Sequence, residues 1–416
     1  MNIQQFLSDY SAARKLNGTI IVAEGDKIVA EQNLGFADLK SGSECSRDTQ
    51  YQIGSVTKQF TAAAVLQAFY DLALSSGTRP ADNTGLISAV KKSLQQPIAY
   101  FLPENSAWWS GKMPNWAKEV TVHQLLQHSS GIQSYTSFPE YKETFFSSPP
   151  GQVELIALFK DRELEFKPGT MFSYCNSGYI LLGAIVSEVA KCSFAEYLER
   201  HVFQPLNLRD TAFPENGTVK ELKREARYGK LAYGYEFNVA EENPEPYEIK
   251  RYLPMQVPGP AGAMISNAPD LLAWNNALFG GKVMPSFLLD IMLSSAISLG
   301  VEGSSYAYGI EIRETAKLGK FYLHSGGIDG YKSILVHIPK LDMSIICLTN
   351  LVGGGKELLD ELDKLNASLP HTLSDQEKTM QLQAALNSKF PFLEHNKDRF
   401  NATAFADELI KQLNQE

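Results

Sequence analysis

Ser55 and Lys58 stand three residues apart at the start of an apolar, helix-forming run, YQIGSVTKQFTAAAVLQAFYDLA, from Tyr51 to Ala73. Residues three apart on a helix share a face, so Lys58 can bring its amine to the Ser55 hydroxyl. A serine alone is a weak nucleophile and needs an adjacent base. Lysine ordinarily titrates near about 10.4, too high for that role at neutral pH. Burial among apolar neighbours lowers the value, because desolvation disfavours the charged form. The helix N-terminus pushes the same way and favours the oxyanion of an attacked carbonyl. Taken alone, the pair reads first as an exposed lysine after a helix start, since S-x-x-K recurs by chance in long chains.

Two further stretches carry compatible chemistry. FSYCNSGYILLG places Tyr174 and Asn176 just before an expected helix. A phenol beside a lysine ammonium is pushed toward phenolate and can relay protons between the serine and a leaving group. The Asn176 amide can donate to a substrate carbonyl and accept from Lys58. A packed aromatic and a helix cap fit the same residues. YLHSGGIDGY ends an expected strand with His324, Ser325, Gly326 and Gly327. Glycines at a strand edge let a substrate approach the backbone. The amides of Gly327 and Ser55 are candidate halves of an oxyanion hole. A β-turn with an incidental histidine is the other reading of this segment.

Several classes are disfavoured by composition. With 44% hydrophobic and 20% charged residues over 416 positions, the chain suits a packed core rather than disorder. A net charge of -9 argues against nucleic acid or anionic membrane as the main partner. Cys45, Cys175, Cys192 and Cys347 form no C-x-x-C pair, and free thiols are expected. Cys175, beside the candidate site, reads as a small buried hydrophobe or as a redox-sensitive point. His123 and His128 lie in no H-E-x-x-H pattern, so neither a metal nor a cofactor is expected. His128 is expected to fix a loop. No stretch approaches the roughly 20 apolar residues of a membrane span. No secretory leader is visible, which reads as cytoplasmic, or periplasmic if a leader has been trimmed. No G-x-S-x-G elbow occurs.

The elements that must position these residues follow from periodicity. Residues 3–15 read as an amphipathic helix, and GTIIVAEGDKIVAEQNLGFAD as a hairpin turning at Glu24-Gly25-Asp26. Helices and long loops fill about 57–300. Strands return in YAYGIEIRE, KFYLHSGG and YKSILVHIPKLDMSIICLTN, with a helix expected from Lys356. The expected class is α+β: an antiparallel sheet built from both chain ends (about 16–50 and 303–350), flanked by helices, with an inserted helical region. A catalytic domain over 1–365 is expected, with an appended helical tail over 366–416. The apolar positions of that tail, among them Met380, Leu382, Leu386, Phe405, Leu409 and Ile410, require burial.

Ser-x-x-Lys, Tyr-x-Asn and His-Ser-Gly, in that order, resemble the serine β-lactamase and penicillin-binding protein superfamily, whose related motif set includes S-D-N and K-T-G. The Y-x-N form resembles its class C β-lactamase, D,D-peptidase and esterase branch. PIAYFLPE, VTVHQLLQHSSGI, VFQPLNLRDTAF, GPAGAMISNAPDLLAW and YAYGIEI follow in matching order, so the resemblance covers about residues 18–350. It implies a β-lactamase/transpeptidase-like fold with the site at the junction of sheet and helical region. It implies Ser55 as the acylated nucleophile, Lys58 as its proton partner and Tyr174 as base or relay. It implies that Asn176, His324, Ser325, Gly326 and Gly327 bind substrate. Whether Lys58 or Tyr174 takes the serine proton is left open. His324 stands where class C β-lactamases carry lysine, making it a weaker carboxylate anchor and disfavouring efficient β-lactam hydrolysis. The expected partner is a small ester, D-amino-acid peptide or β-lactam, with the oligomeric state open. A non-catalytic scaffold that keeps the fold is the alternative.

Overall fold

β1 (Gly18–Glu24) and β2 (Lys27–Leu34) form the expected hairpin, and β1 pairs antiparallel on its other side with a strand more than 300 residues away. The computed structural model describes residues 1–14, 16–75, 83–138, 141, 145–238, 241, 245–354, 381, 384, 386 and 402–415. The remaining strands of the main sheet are β3 (Ile297–Ser298), β4 (Ser304–Tyr306), β5 (Glu311–Thr315), β6 (Gly319–Ile328), β7 (Tyr331–Ile338) and β8 (Met343–Thr349). Their order is β2-β1-β8-β7-β6-β5-β4-β3, antiparallel throughout. The two chain ends therefore build one eight-stranded sheet.

β1 and β8 are apolar on both faces because both faces are covered. Ile21, Ala23, Ile346 and Leu348 join the core shared with the helical region. Ile20, Val22, Ile345 and Cys347 point the other way. There they meet helix α1 (Ile3–Arg14) and the C-terminal helix, named α5 below. Each isoleucine, leucine or valine among them, once buried, contributes about 1.5–3 kcal/mol.

The helical half holds α2 (Thr57–Ser75), α3 (Asn176–Ala190) and α4 (Ala268–Phe279) among shorter helices. α2 is buried on most sides along its first ten residues, as an all-round apolar helix must be. α5 (Ala402–Gln415) lays Phe405, Leu409 and Ile410 on the outer face of the sheet, so this part of the tail docks on its own chain. Leu386 is buried as well. The helix expected from Lys356, and most of the helical pattern around Met380 and Leu382, lie outside the described residues.

The sheet boundaries differ from expectation at both ends. Residues 36–52 leave the main sheet. The Asn17 side chain accepts from Phe36 N (2.7 Å) and donates to Phe36 O (3.0 Å), drawing the chain off the β2 edge. Phe36–Asp38 then pairs with Ser43–Glu44, and Tyr51–Gln52 with Ile265–Ser266. At the opposite edge β3 adds a strand ahead of residue 303. A small sheet not anticipated joins Leu351–Gly354 in parallel to Tyr235–Asn238, which pairs with Tyr247–Glu248.

Candidate active site

The turn that carries Ser55 is pressed against β6. Gly54 adopts φ +50°, and a Cβ there would stand 2.8 Å from Gly327 N. A Cβ on Gly326 would stand 2.0 Å from Ile53 O. Only glycine permits this approach. Ser333 on β7 donates to Ile53 O at 2.7 Å and holds the turn from below. Ser55 is left half-buried in a one-turn 3₁₀ segment (Gly54–Val56) that runs into α2.

Lys58 lies in the first turn of α2 and is fully buried. Its Nζ is 3.0 Å from Ser55 Oγ, 2.8 Å from Asn176 Oδ1 and 2.7 Å from Ala261 O. Desolvation pushes its pKa well below the usual lysine value, with a small opposing effect from Cys175. The neutral amine has two hydrogens and one lone pair. Two carbonyl oxygens, which only accept, take the hydrogens. In that neutral form the lone pair faces the Ser55 hydroxyl. Asn176, the first residue of α3, also donates from Nδ2 to Thr136 Oγ1 at 3.2 Å, which fixes its amide.

Tyr174 stands beside Ser55 at the edge of one cavity. Burial raises its pKa and Ser55 opposes that rise. Since 38% of the residue is open to solvent, water screens the rise; the phenol form holds at neutral pH in either case. The expected push toward phenolate is absent: Lys58 Nζ lies over the ring, 4.8 Å from its centre, but burial is the largest influence on the phenol and raises its pKa. Cys175 is buried, its thiol donates to Ile132 O at 3.0 Å, and burial raises its pKa to about 11. It is a packed thiol rather than a reactive thiolate.

His324 differs from the partial cation expected. Desolvation, with a smaller effect from Lys58, lowers its pKa to about 3. At neutral pH it has no charge with which to anchor a carboxylate. Its Nδ1 lies 2.6 Å from Ser325 O and its Nε2 lies 2.8 Å from the Tyr306 hydroxyl. Ser325 and Gly327 are exposed along the same strand, while Gly326 is buried against the nucleophile turn.

Ser55 sits between two cavities. One, of about 320 Å³, is lined by Asn176, Tyr135, Glu236, Asp329 and Lys332. The other, of about 410 Å³, is lined by Phe172, Tyr174, Leu299, Tyr306, Glu311 and His324. Ser55 and Gly327 border both. The structure thus brings together all eight residues singled out in the sequence. Sequence reasoning missed Ala261, whose contribution is a backbone carbonyl with no side-chain signal, and Tyr306, which lies within YAYGIEI. Glu236 and Lys332 carried no local signal either. His128 holds a loop as expected, but it also reaches the site through Tyr306. Among the described residues no group of three or more His, Cys, Asp or Glu is placed to hold a metal. Among the same residues no single helix is long and apolar enough to cross a membrane.

This architecture coincides with a family match. The profile of the family described as Beta-lactamase covers residues 3–367, and the chain belongs to that family. Penicillin-binding protein 4* of Bacillus subtilis (strain 168) is 22% identical over 361 residues, which is 84% of this chain and 71% of that protein. Protein flp of Staphylococcus aureus (strain MW2) is 25% identical over 338 residues, which is 80% of this chain but 59% of that protein. The D-amino acid amidase from Ochrobactrum anthropi SV3, solved with D-phenylalanine, shares the fold. Its TM-score is 0.65 at 22% identity, over 85% of this chain and 92% of the amidase.

Proposed function

We propose that the protein is a serine hydrolase that acts through an acyl-enzyme on Ser55, with a small ester or an amide of a D-amino acid as substrate. The observation that carries this reading is the Lys58 amine, buried, held by two carbonyls and with its Nζ 3.0 Å from Ser55 Oγ.

On this reading Lys58 takes the Ser55 proton as Oγ bonds the carbonyl carbon. The carbonyl electron pair moves to oxygen, where the amides of Ser55 and Gly327 receive it. Collapse of the tetrahedral adduct breaks the bond to the leaving group. The phenol of Tyr174 supplies the proton to the leaving group, and the phenolate takes back a proton from the Lys58 ammonium, which returns to the neutral amine. Water then repeats the sequence on the acyl-enzyme. Asn176 keeps Lys58 in place and offers Nδ2 to the substrate carbonyl side. An uncharged His324 disfavours β-lactams, which carry a carboxylate, and the likeness to a D-amino acid amidase supports including amides.

Intact-mass spectrometry after treatment with a fluorophosphonate tests the reading. One adduct per chain is expected, absent in Ser55→Ala. With 4-nitrophenyl butyrate, nitrocefin and D-phenylalanine amide as a panel, kcat/KM for the ester is expected to exceed that for nitrocefin. No adduct from either a fluorophosphonate or a penicillin would favour the scaffold alternative. Faster nitrocefin turnover would overturn the preference for uncharged substrates.

A further inference from the structure

Five groups between the helical half and the sheet form a hydrogen-bonded chain with one polarity. At one end, the backbone N–H of Cys175 donates to His128 Nδ1 at 3.1 Å. At the other end, His324 Nδ1 is 2.6 Å from the carbonyl of Ser325. A backbone N–H can only donate and a carbonyl can only accept. His128 therefore carries its hydrogen on Nε2, and His324 carries its hydrogen on Nδ1. Between them stands the Tyr306 hydroxyl, 3.2 Å from His128 Nε2 and 2.8 Å from His324 Nε2. It accepts from His128 and donates to His324. All three rings are buried: 1% of His128, 4% of Tyr306 and 5% of His324 is exposed.

We infer that Tyr306 is a specificity-determining residue: by donating to His324 Nε2 it occupies the nitrogen with which that ring would meet a substrate carboxylate, so the cavity beside Ser55 takes an uncharged ester or amide group. This rests on the reading of Ser55 as the nucleophile. A proton added to His324 would face the Tyr306 hydrogen. Turning that hydrogen toward His128 meets another N–H. The buried surroundings add to the effect and lower the pKa of both histidines.

The groups around His324 act in the same sense. Lys58 approaches from α2, and its amine when protonated opposes a positive charge on His324. Tyr174, from the segment before α3, has its ring 6.4 Å away. Tyr179 on α3 lies against His128 and Tyr306 and donates its own hydroxyl to Leu126 O. On the sheet side Leu335 of β7 pairs with His324 and is apolar. From β5, Glu311 lines the same cavity, its carboxylate held by Arg313. A substrate carboxylate would thus meet a neutral imidazole and a glutamate.

The test compares phenyl acetate with 3-acetoxybenzoate, which adds a carboxylate to the leaving group. In the wild type the ratio of kcat/KM, anionic over neutral, is expected to be low and flat from pH 5.5 to 8. In Tyr306→Phe, which keeps the ring and removes the donor, the hydrogen that faces Nε2 is gone while burial still opposes protonation, and the ratio is expected to rise about twofold or more at pH 5.5 over pH 8. An unchanged ratio in folded Tyr306→Phe would overturn the inference. ¹⁵N NMR of the wild-type histidines gives a readout that needs neither a variant nor turnover. His324 is expected as the neutral Nδ1–H tautomer down to pH 5.5, and an imidazolium there would overturn the proposal. Fluorophosphonate labelling separates the two claims, because failure of labelling removes the nucleophile assignment while the tautomer signal stands or falls by itself.

Discussion

Two carbonyl oxygens beside a buried amine decide the behaviour of Lys58. Because its pKa lies below the usual value, the neutral form holds down to lower pH than for a free lysine. Turnover is therefore expected to fall as pH drops through that pKa and the lone pair is lost. Asn176→Asp places a carboxylate 2.8 Å from the amine, where the amide oxygen now sits. An adjacent opposite charge raises a lysine pKa by about 1–3 units. The acid limb of kcat/KM for 4-nitrophenyl butyrate should move up by at least about one unit, and an unmoved limb would exclude Lys58 as the titrating base. Ser55→Ala should lower turnover by about 10³-fold or more. Stability has its own pH signature at the histidines. Burial lowers the pKa of His324 to about 3 and of His337, which stacks on Phe279 at 4.1 Å, to about 4. Below about 6.5 the unfolded chain protonates these rings while the folded chain resists, so unfolding takes up protons. Stability should fall as pH drops from 6.5 toward 4. His337→Phe keeps the stack and removes roughly 2–4 kcal/mol of that fall. Parallel plots of Tm against pH for variant and wild type would contradict this.

At the level of elements, the site depends on one close contact, between the Gly54–Val56 turn and β6. Gly326→Ala forces a methyl group to within 2.0 Å of Ile53 O unless the strand moves. A clash with backbone cannot be relieved by a rotamer change, so a cost of about 3 kcal/mol or more is expected. Fluorophosphonate labelling should fall with it, because the strand that moves carries Gly327; a variant labelled at the wild-type rate would show that the turn tolerates the shift. The C-terminal helix α5 makes the opposite case. Phe405 is fully buried and packs edge-on against Tyr10 at 5.3 Å, away from the cleft. Phe405→Ala should cost about 3–5 kcal/mol. Among the described residues, the ion pair between α5 and the main sheet joins Arg313 to Asp407, both partly exposed, so it adds little. Labelling of the folded Phe405→Ala protein should proceed as in the wild type. Loss of labelling with retained circular dichroism would mean that the outer face of the sheet supports the site.

In the whole molecule, the cleft exists because the sheet closes with strands from both chain ends while the helical half is strung between them. Ser55 comes from the start of that half, Asn176 from its middle and His324 from the returning strands. Periodicity in the sequence determined much of this. The β1–β2 hairpin, α2 and the run of strands after residue 303 are long, strongly patterned segments, whose local order and burial demand agree. The three motifs, each weak alone, also pointed to one site through their order along the chain. What the sequence left undetermined are quantities set by contacts between distant segments. The excursion of residues 36–52 depends on Asn17 bonding across a turn. The small sheet of Tyr235–Asn238 with Leu351–Gly354 pairs segments more than 100 residues apart and too short to show a period. The protonation states are the clearest case. Lysine, tyrosine and histidine have the same intrinsic pKa values wherever they stand in a sequence. Only the folded chain sets how much water Lys58 loses, where Ala261 O points, and that Tyr306 spends its one hydrogen on His324, because desolvation and hydrogen-bond direction are properties of the packed surroundings rather than of the residue.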